Sequence, residues 1–600
     1  MTARTMFTIL EEASRKWGDV AALRQPEGKG NYRAYTFREY EQAVREVACG
    51  LRRLGVLKGE NVALYSDTRA EFYIADLGII SSGAVAAALY TSYPLPDQVK
   101  NLLAAGIKTA FAEDAKGMES LRAAAGGSLD PIRWILLTGD AAGSDAVTLK
   151  GLRETGRRAM QEDPGLFDRI RTEIQPEDPA ILYLTSGATG EPKMGLAAHS
   201  ALSANADMGP SALGLAAGES TIVFLPSAHI AQRVVMEMVT LRLGVTVWFS
   251  ESLSKLPLEM KTIRPQFFLA PPRVWERIYA SIGAEIRKKP KLSQKLFHGA
   301  LGLGLAAGRL KQAGKPVPPH LKAPLRLADW LVFSKIRERL GGRMRIAASG
   351  AAPLGKELAD FYSAIGMPLI EGYGLTEGGV ATLNPLDRPK SGSIGKPLPG
   401  VEVKFAGDGE LLLKSPCLFA GYYLDEASTA AVMRDGWLYT GDIAEIDAEG
   451  YLYITGRKKE LIVSSNGKKI YPARIEGLFK TEPLINQVVL VGDRLPFVTA
   501  LFTLNFPNAH SLKGMEAWKD KAEAAIASAG PVIDCVRKAV ARVNKQLPPF
   551  EQIRKFRVLD RDFTIELGEM TPTMKVRRAR VLENFRAVVG EMYMGKEESA

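Results

Sequence analysis

The sequence contains few of the residues that build disulfide frameworks and metal cages. Its 600 residues include three cysteines, Cys49, Cys417 and Cys535, which lie far apart and form no CxxC pair. The five histidines form no HxxxH or HExxH pattern. These absences argue against a disulfide scaffold or a Cys/His zinc site, and they fit a reducing compartment. We therefore expect a cytoplasmic protein.

Long hydrophobic runs are absent as well. A membrane-spanning helix needs about 18 or more apolar residues in succession. The longest apolar stretch here, residues 77–90, is shorter and is interrupted by two serines and two glycines. Glu11 and Glu12 stand where an export signal would carry its apolar segment, so we expect no signal peptide. The length predicts two to four domains.

Acidic residues are scarce in one segment. Between residues 287 and 343, fourteen Lys or Arg stand against two acids, a net charge of +12, whereas the whole chain carries +11. Such a segment either exposes solvated basic helix faces or contacts an acidic partner. Its apolar run LFHGALGLGLAAGRL favours peripheral contact with an anionic membrane, at the inner face of which the protein would then lie. We expect no nucleic-acid partner, because no recognised module accompanies the charge. The oligomeric state is left open.

Alternating helical and strand patterns occupy the first part of the chain. Strand patterns at 61–65 and 109–112 alternate with helical patterns at 39–54 and 70–81, which predicts mixed or parallel sheets covered by helices. Short strands and glycine turns follow, and they predict a β-rich subdomain at about 395–458. We therefore predict an α/β fold: a large N-terminal region of several subdomains with mixed sheets packed by helices, and a small α+β C-terminal domain.

A Gly/Ser/Thr-rich loop follows an apolar strand in LYLTSGATGEPKMG, residues 182–195. Hydroxyl groups and glycine N–H groups can cradle phosphate oxygens, and a lysine adds a cation. It is not a Walker A loop, because Gly195 is followed by Leu196 rather than by Lys and Ser or Thr. The predicted phosphate-contacting residues are Thr185, Ser186, Gly187, Ala188, Thr189, Gly190 and Lys193.

Three later segments carry groups suited to a nucleotide and its metal ion. In EGYGLTE, which follows a strand pattern at 367–370, Tyr373 could stack on a base, Thr376 could bond a phosphate and Glu377 could hold magnesium. Further on, Asp442 can accept both hydroxyls of a ribose, and Arg457 can reach the same sugar. Near the end, GEMTPTMKVRRARV places Lys575 among other basic residues.

These four segments, in this order and spacing, resemble the core motifs of the adenylate-forming superfamily, which comprises acyl-CoA synthetases, peptide-synthetase adenylation domains and luciferases. The resemblance extends over nearly the whole chain. Phrases such as LPSAHIAQRVV, RPQFFLAPPRVWERIY and GEMTPTMK resemble the long-chain acyl-CoA synthetase branch. The resemblance implies an ATP-dependent ligase that converts a fatty acid, expected to be long-chain, into acyl-AMP and pyrophosphate, and then into acyl-CoA and AMP. Alternatives are another acid (aryl, bile-acid-like or medium-chain), a carrier-protein acceptor, or an inactive nucleotide- or acyl-binding homologue.

The resemblance also implies roles for particular residues. Glu377 would hold Mg²⁺, Thr376 would assist at the phosphates, and His229 would lie beside the acyl carboxylate. Lys575 would contact both that carboxylate and the α-phosphate as an electrostatic clamp. The residues implied around the adenine, ribose and phosphates are Gly350, Ala351, Ala352, Glu371, Gly372, Tyr373, Gly374, Thr376, Asp442 and Arg457.

A moving C-terminal lid is implied as well. The lid, residues 459–600, would rotate about a hinge at Lys459 against the N-terminal domain, residues 1–458. Rotation would withdraw Lys575 and bring Gly467 beside the tunnel for the pantetheine arm of coenzyme A, so that two half-reactions share one site.

Two positions depart from the motif that this chain resembles. Ala188 stands where the usual loop has a second threonine, which removes a hydroxyl contact of about 1 kcal/mol if that contact normally forms. Met194 replaces the glycine that usually follows the loop lysine. The lysine, the magnesium carboxylate and the lid lysine are all present, so we expect activity to survive.

Overall fold

Two large sheets with parallel centres form the bulk of the molecule. The computed structural model describes residues 4–594 except 142, 185–192, 511, 513, 516, 517, 519, 520, 572 and 573. Within these residues one sheet has nine strands, in the spatial order Lys396–Pro397, Gly379–Leu383, Leu369–Leu375, Ile346–Ser349, Phe267–Ala270, Ser220–Val223, Thr246–Phe249, Ala21–Gly28 and Asn31–Thr36. The other has eight described strands, in the order Gly421–Tyr422, Met194–Ala198, Pro179–Leu184, Val85–Ala88, Asn61–Tyr65, Thr109–Ala112, Arg133–Leu136 and Val147–Thr148.

Each large sheet is parallel in its centre and antiparallel towards one or both ends. In the nine-stranded sheet, the strands from Leu369–Leu375 to Ala21–Gly28 run parallel. In the eight-stranded sheet, Met194–Ala198 pairs antiparallel with Pro179–Leu184. Parallel neighbours need crossover connections, which are usually helical, and helices cover both faces of such sheets. The alternating pattern of the sequence reflects this arrangement, and the predicted fold class is confirmed.

Helices connect and cover these strands. Those of the first half are Met6–Trp17, Phe37–Arg53, Ala70–Ser81, Leu95–Ala104, Ala115–Ala125, Leu149–Glu162, Leu166–Glu173, His199–Leu213, Thr240–Leu243, Leu256–Ile263 and Pro272–Arg287, with a π-helix at Gln232–Val239. The basic segment continues with Lys291–Gln312, Pro319–Ala328, a π-helical stretch Asp329–Phe333, and Ser334–Arg339. Lys356–Ala364 precedes the strand Leu369–Leu375. No helix of the described residues is long and apolar enough to cross a bilayer.

Smaller sheets follow in the chain. An antiparallel sheet contains Glu402–Phe405, Glu410–Lys414, Met433–Arg434, Trp437–Ile446 and Leu452–Arg457, with the helix Glu426–Val432 beside it. A 3₁₀ turn, Lys458–Glu460, leads to the hairpin Ile462–Val463 and Lys469–Ile470. A separate core then surrounds Ile485–Val491, Val498–Leu504 and Ile553–Val558. The accompanying helices are Pro472–Gly477, Phe506–Ala509, Glu523–Ala527, Gly530–Asn544, Arg578–Asn584 and Arg586–Tyr593.

Several predicted elements match the structure residue for residue, namely the strands 61–65 and 109–112 and the helix 70–81. The strand predicted at 367–370 lies instead at Leu369–Leu375, because the residues of the GYG segment pair with Gly379–Leu383. The position of Lys459 in the 3₁₀ turn is compatible with a hinge, and the domain boundary there stays a prediction.

Candidate active site

The carboxyl ends of two neighbouring parallel strands bring the glycine-rich segments together. Ser349 is the register partner of Glu371, so Gly350 and Ala351 lie beside the segment that begins at Gly372. Ala351 adopts a φ of 68°, a left-handed conformation that is uncommon for residues with a Cβ and that clusters at functional sites. Ligands bind at such strand ends in open α/β sheets. The predicted adenine-binding residues therefore share one edge of the nine-stranded sheet.

An apolar pocket opens at this edge. It encloses about 820 Å³ of space, including its open mouth. One part of its lining is glycine-rich and consists of Gly350, Ala351, Gly372, Tyr373 and Gly374. Another part is made of aliphatic side chains, among them Met208, Leu213, Val234, Val235 and Val239. His229 also lines the pocket and adds an imidazole to a largely apolar wall.

Asp442, Arg457 and Tyr373 form one hydrogen-bonded group. Asp442 and Arg457 are register partners on adjacent antiparallel strands, and Arg457 Nε lies 2.9 Å from Asp442 Oδ1. The Tyr373 hydroxyl donates to Asp442 Oδ2 at 2.6 Å. The charge of Asp442 raises the pKa of Arg457. These contacts hold the Asp442 carboxylate in one orientation beside the glycine-rich part of the pocket lining.

Glu377 is linked to Lys193 through a residue that the sequence did not single out. The Tyr422 hydroxyl donates to Glu377 Oε1 at 2.6 Å, and Lys193 Nζ lies 4.8 Å from the centre of the Tyr422 ring. Lys193 also donates to Ser428 Oγ at 2.7 Å. Tyr422 lies in a segment with no phosphate or metal motif, so nothing local identified it.

The predicted Mg²⁺ fits this arrangement as an ion carried by the nucleotide. Magnesium is usually held by one or two carboxylates together with substrate phosphates. Glu377 is a single carboxylate whose orientation is fixed by Tyr422. No group of three or more ligating side chains occurs in the described part of the chain, so nothing there forms a protein-only cage.

Lys575 reaches this site from the C-terminal domain. Burial and then the charge of Arg457 lower the pKa of Lys575 to about 8, against the opposing charges of Asp442, Glu377 and Glu460. Glu460, beside the predicted hinge, is thus a neighbour that sequence reasoning missed. Lys575 N donates to Thr571 Oγ1 at 3.1 Å, and Thr571 N donates to the Lys575 carbonyl at 2.8 Å, so two hydrogen bonds hold Lys575 beside Thr571.

A buried ion pair lies shortly before Thr571 in the chain. Glu569 is 0% exposed and receives both Arg561 guanidinium nitrogens at 2.6 and 2.7 Å, and an amide of Asn584 at 2.8 Å. Burial raises the pKa of Glu569, but these charge-assisted bonds outweigh it and lower the pKa overall. They also fix the segment before Lys575.

His229 lies close to Lys575 and is uncharged. Burial, together with the Lys575 charge, lowers the pKa of His229 to about 3. His229 Nδ1 accepts a hydrogen bond from Ala231 N at 3.2 Å. A neutral imidazole whose Nδ1 accepts carries its proton on Nε2. His229 can therefore donate a hydrogen bond from Nε2.

The other predicted residues fall into four groups. Glu371 is buried, accepts from Leu354 N at 2.9 Å and has a pKa raised by burial to about 8, so it supports the Gly350–Leu354 segment from beneath. Ala352 follows Ala351 in the chain. A Cβ at Gly195 would lie 3.3 Å from Thr376 Cγ2, so Thr376 lies beside the end of the predicted phosphate-binding segment. Gly467 lies in an exposed turn where a Cβ would meet no atom within 4 Å. Thr185, Ser186, Gly187, Ala188, Thr189 and Gly190 lie outside the described residues.

Met194 begins a β-strand and pairs with Leu184. An extended strand residue needs no glycine, so this departure from the motif fits the backbone at that point.

A second set of contacts joins the two parts of the molecule away from Lys575. Arg273 Nη1 donates to both the carbonyl and the side-chain oxygen of Asn486, at 2.6 and 2.9 Å. Lys480 lies 3.6 Å from Glu276 and also donates to a main-chain carbonyl of the N-terminal part. Thr481 donates to Glu357 at 2.7 Å. We call these contacts the latch.

Comparison with known families gives two matches. The family model described as AMP-binding enzyme matches residues 10–423, and the one described as AMP-binding enzyme C-terminal domain matches residues 459–597. The chain is 36% identical over 570 residues to a long-chain-fatty-acid–CoA ligase, FadD15, of Mycobacterium tuberculosis, with 93% of this chain and 92% of that protein covered. It is 27% identical to the human long-chain-fatty-acid–CoA ligase ACSBG2, with 99% and 93% covered.

Solved structures share the fold. The adenylation domain of a carboxylate reductase from Mycobacterium chelonae superposes with a TM-score of 0.74 at 20% identity, covering 99% of this chain and 92% of that one. An anthranilate–CoA ligase in complex with anthranoyl-AMP superposes with a TM-score of 0.72 at 18% identity, covering 98% and 99%.

Proposed function

Because the chain belongs to the family of AMP-binding enzymes, we propose that it is an ATP-dependent ligase that activates a long-chain fatty acid as acyl-AMP and transfers the acyl group to coenzyme A. The observation that carries this proposal is that Lys575 and the Asp442–Arg457 pair meet beside His229 and Tyr373, which line an apolar pocket. A nucleotide and a hydrocarbon chain are the two ligands whose chemistry this combination suits.

The first half-reaction joins two anions. The substrate carboxylate attacks the α-phosphate, and pyrophosphate leaves. Fixed cations and donors must offset the repulsion, and they do so most effectively in a site that excludes water. In our proposal the Lys575 ammonium contacts both reacting groups, Lys193 contacts the terminal phosphates and Glu377 holds Mg²⁺, which neutralises phosphate charge when bound.

His229 positions the acid in this scheme. Because its pKa is about 3, it is neutral at physiological pH and does not compete with Lys575 as a cation. Its Nε2 proton is available to hydrogen-bond one carboxylate oxygen, and its position on the pocket wall directs the alkyl chain into the aliphatic interior.

The second half-reaction needs a different arrangement. The thiol of coenzyme A attacks the acyl carbon and AMP leaves. Gly467 is exposed, whereas Lys575 lies close to His229 on the pocket wall. In our proposal this is the arrangement for adenylation. We propose that rotation at Lys459 withdraws Lys575 and brings Gly467 to the site for thioester formation.

Two observations support a long-chain acid as the substrate and coenzyme A as the acceptor. The pocket interior is aliphatic, which favours an alkyl chain over an aryl or bile-acid-like group. Both relatives described above are named long-chain-fatty-acid–CoA ligases.

A panel of acids tests the proposal directly. Pyrophosphate release is measured for C6 to C18 fatty acids, benzoate and cholate, with and without coenzyme A. We expect the highest kcat/KM with a long-chain acid, and acyl-CoA formation only when coenzyme A is present. Acyl-AMP that forms without any acyl-CoA would favour a carrier-protein acceptor, and no release with any acid would favour the inactive homologue.

The basic segment supports a peripheral membrane contact as part of this function. Leu292 and Trp330 are 80% and 70% exposed, and Leu327 is also exposed. Lys288, Lys289, Lys291, Lys295 and Arg326 stand in the same helices and turns and are exposed as well. Exposed aromatic and leucine side chains among lysines suit the interface of an anionic bilayer, from which fatty acids can be drawn.

Liposome flotation tests this contact. We expect binding to phosphatidylglycerol vesicles at low salt, weaker binding at high salt, and loss of binding in a Trp330→Ser, Lys291→Glu, Lys295→Glu variant. Equal partitioning onto neutral and anionic vesicles at low salt would end the idea.

A further inference from the structure

A buried ionic cluster lies against the wall of the acyl pocket. Asp76, Arg233 and Glu237 are 0%, 0% and 2% exposed. Arg233 donates to both carboxylate oxygens of Asp76, from Nε at 3.3 Å and from Nη2. Its guanidinium lies 5.5 Å from the centre of the Tyr183 ring. Nothing in the proposed chemistry uses these groups.

Arg233 and Glu237 belong to the π-helix Gln232–Val239, which has two faces with different surroundings. Val234, Val235 and Val239 line the acyl pocket. Gln232, Arg233 and Glu237 are buried with Asp76 and the aromatic side chains of Tyr40, Tyr73 and Tyr183. The winding of this helix therefore decides which side chains face the substrate.

π-Helical winding is rare and needs support from its surroundings. Side chains bind main-chain carbonyls of the segment: the Tyr73 hydroxyl donates to Met236 O at 3.3 Å, and Thr240 Oγ1 lies 2.8 and 3.0 Å from Met236 O and Glu237 O. Gln232 Nε2 in turn donates to the Tyr73 hydroxyl at 2.9 Å. The start of the helix is tied to the site, because Gln232 N and Arg233 N both donate to His229 O at 3.1 Å.

The cluster carries no net charge when Asp76 and Arg233 are ionised and Glu237 is protonated. Burial and the nearby Asp76 raise the pKa of Glu237 well above its usual range, which favours the protonated carboxyl beside the Asp76–Arg233 pair. A buried pair of this kind strongly penalises any conformation that separates its members. Converting the π-helix to an α-helix would separate the pair. Its side chains would rotate about the helix axis by about 100°, the angle that one residue occupies in an α-helix.

We propose that the Asp76–Arg233–Glu237 cluster, with Tyr73, sets the acyl-chain length that this enzyme accepts by holding Gln232–Val239 in its π-helical winding. The proposal rests on the proposed function. The cluster residues are positioning residues: they act through Val234, Val235 and Val239 and touch no substrate.

The test compares chain-length profiles, as kcat/KM for pyrophosphate release with C6 to C18 acids. Tyr73→Phe removes the hydroxyl that binds the π-helix, and Tyr40→Phe is its matched control. Tyr40 is buried to a similar degree beside the same cluster, but its hydroxyl donates to Tyr73 O at 3.3 Å rather than to a carbonyl of the π-helix. We expect Tyr73→Phe to change the ratio of the longest to the shortest acid at least threefold, with the KM for ATP within twofold of wild type. Tyr40→Phe is expected to retain the wild-type ratio.

A stronger perturbation replaces the ion pair by apolar side chains of similar volume. Asp76→Leu combined with Arg233→Met leaves no charge buried without its partner. We expect at least a tenfold change in the same ratio. If that variant does not fold, the two tyrosine variants decide.

Val235→Trp reports on the pocket itself and separates the ways of failing. A changed profile in Val235→Trp together with wild-type ratios in both Tyr73→Phe and the folded double variant overturns the inference. An unchanged profile in Val235→Trp overturns the assignment of the pocket, and the inference with it. Absence of turnover with every acid in the wild-type protein overturns the proposed function instead.

Discussion

Lys575 shows how the fold changes the properties of a single side chain. Lysines are mostly exposed in proteins, but the ammonium of this one is buried among charged groups. In the sequence it is one of several basic residues near the C-terminus. In the structure it lies where Arg457, Asp442, Glu377 and Glu460 all act on its charge. Its neighbour Met574 has a φ of 63°, so the residue immediately before Lys575 lies in the left-handed region.

Replacing Lys575 with Ala is expected to separate the two half-reactions. Pyrophosphate release should fall by about 10² to 10³-fold, because the cation that offsets the developing charge is lost. Acyl-CoA formation from supplied acyl-AMP should stay near the wild-type rate. Lys545→Ala, at an exposed lysine of the same domain, should change neither rate. Retention of both activities in Lys575→Ala would contradict the assignment.

The lowered pKa of Lys575 predicts a pH dependence of adenylation. The ammonium is present below about pH 8 and is lost as the pH rises through its pKa. The kcat/KM for pyrophosphate release reports the free enzyme, so it should fall above pH 8, approaching tenfold per pH unit. Lys575→Arg keeps its charge at these values and should lack this alkaline limb, whatever its absolute rate. A flat wild-type profile from pH 7 to 9.5 would contradict this prediction.

At the scale of elements, the helices Phe37–Arg53 and Leu149–Glu162 show how closely two backbones approach. A Cβ at Gly156 would lie 1.9 Å from the carbonyl oxygen of Glu46. The Glu46 side chain is buried and receives Arg153 Nε at 2.8 Å and Arg157 Nε at 3.0 Å. These hydrogen bonds join the same two helices. Gly156 and the contacts of Glu46 with the two arginines therefore act together to fix how the helices pack.

Gly156→Ala should therefore destabilise the N-terminal part. We expect a loss of about 1–3 kcal/mol from overpacking, seen as an apparent Tm several degrees lower in a thermal scan. Gly302→Ala is the matched control, because it lies in a helix at a position where an added Cβ would meet no atom within 4 Å. It should leave the Tm unchanged or raise it, since alanine favours helix by about 1 kcal/mol over glycine. Equal shifts in both variants would show that close approach is not the cause.

At the scale of the whole molecule, the latch holds the C-terminal part over the site. Arg273 is its most enclosed member: it is mostly buried, burial lowers its pKa, and one of its nitrogens donates twice to Asn486. Lys480 and Thr481 add contacts to Glu276 and Glu357. Asn486, Lys480 and Thr481 all lie C-terminal to the predicted hinge, in the part of the chain that we propose rotates for thioester formation.

Arg273→Ala is expected to slow adenylation by about tenfold, because hydrogen bonds from a charged group contribute about 1.5–3 kcal/mol. Acyl-CoA formation from supplied acyl-AMP should be unchanged or faster, since the lid leaves its adenylation position more readily. Arg277→Ala, on the same helix but exposed, should affect neither. An equal fall in both half-reactions of Arg273→Ala would argue for a general loss of stability instead.

The sequence determined those parts of the protein that depend on local pattern. Short, mostly apolar runs predicted the strands 61–65 and 109–112 and the helix 70–81, because elements that are buried on all sides are apolar throughout. The four motif segments also supplied the chemical groups: carboxylates, a tyrosine, and the lysines at 193 and 575. Which groups are available for phosphate, ribose and metal could therefore be stated from residue types alone.

The tertiary structure decided which of those groups meet and how each one is charged. Tyr422 and Glu377 are 45 residues apart, and the contact between them has no local signature. The strand at 369–375 extends through GYG because a later strand pairs with it. The pKa values of Lys575 and His229 depend on desolvation by distant segments, which no local pattern records. Burial is a property of the whole chain, so charge state, pocket shape and the π-helix behind the pocket were settled only by folding.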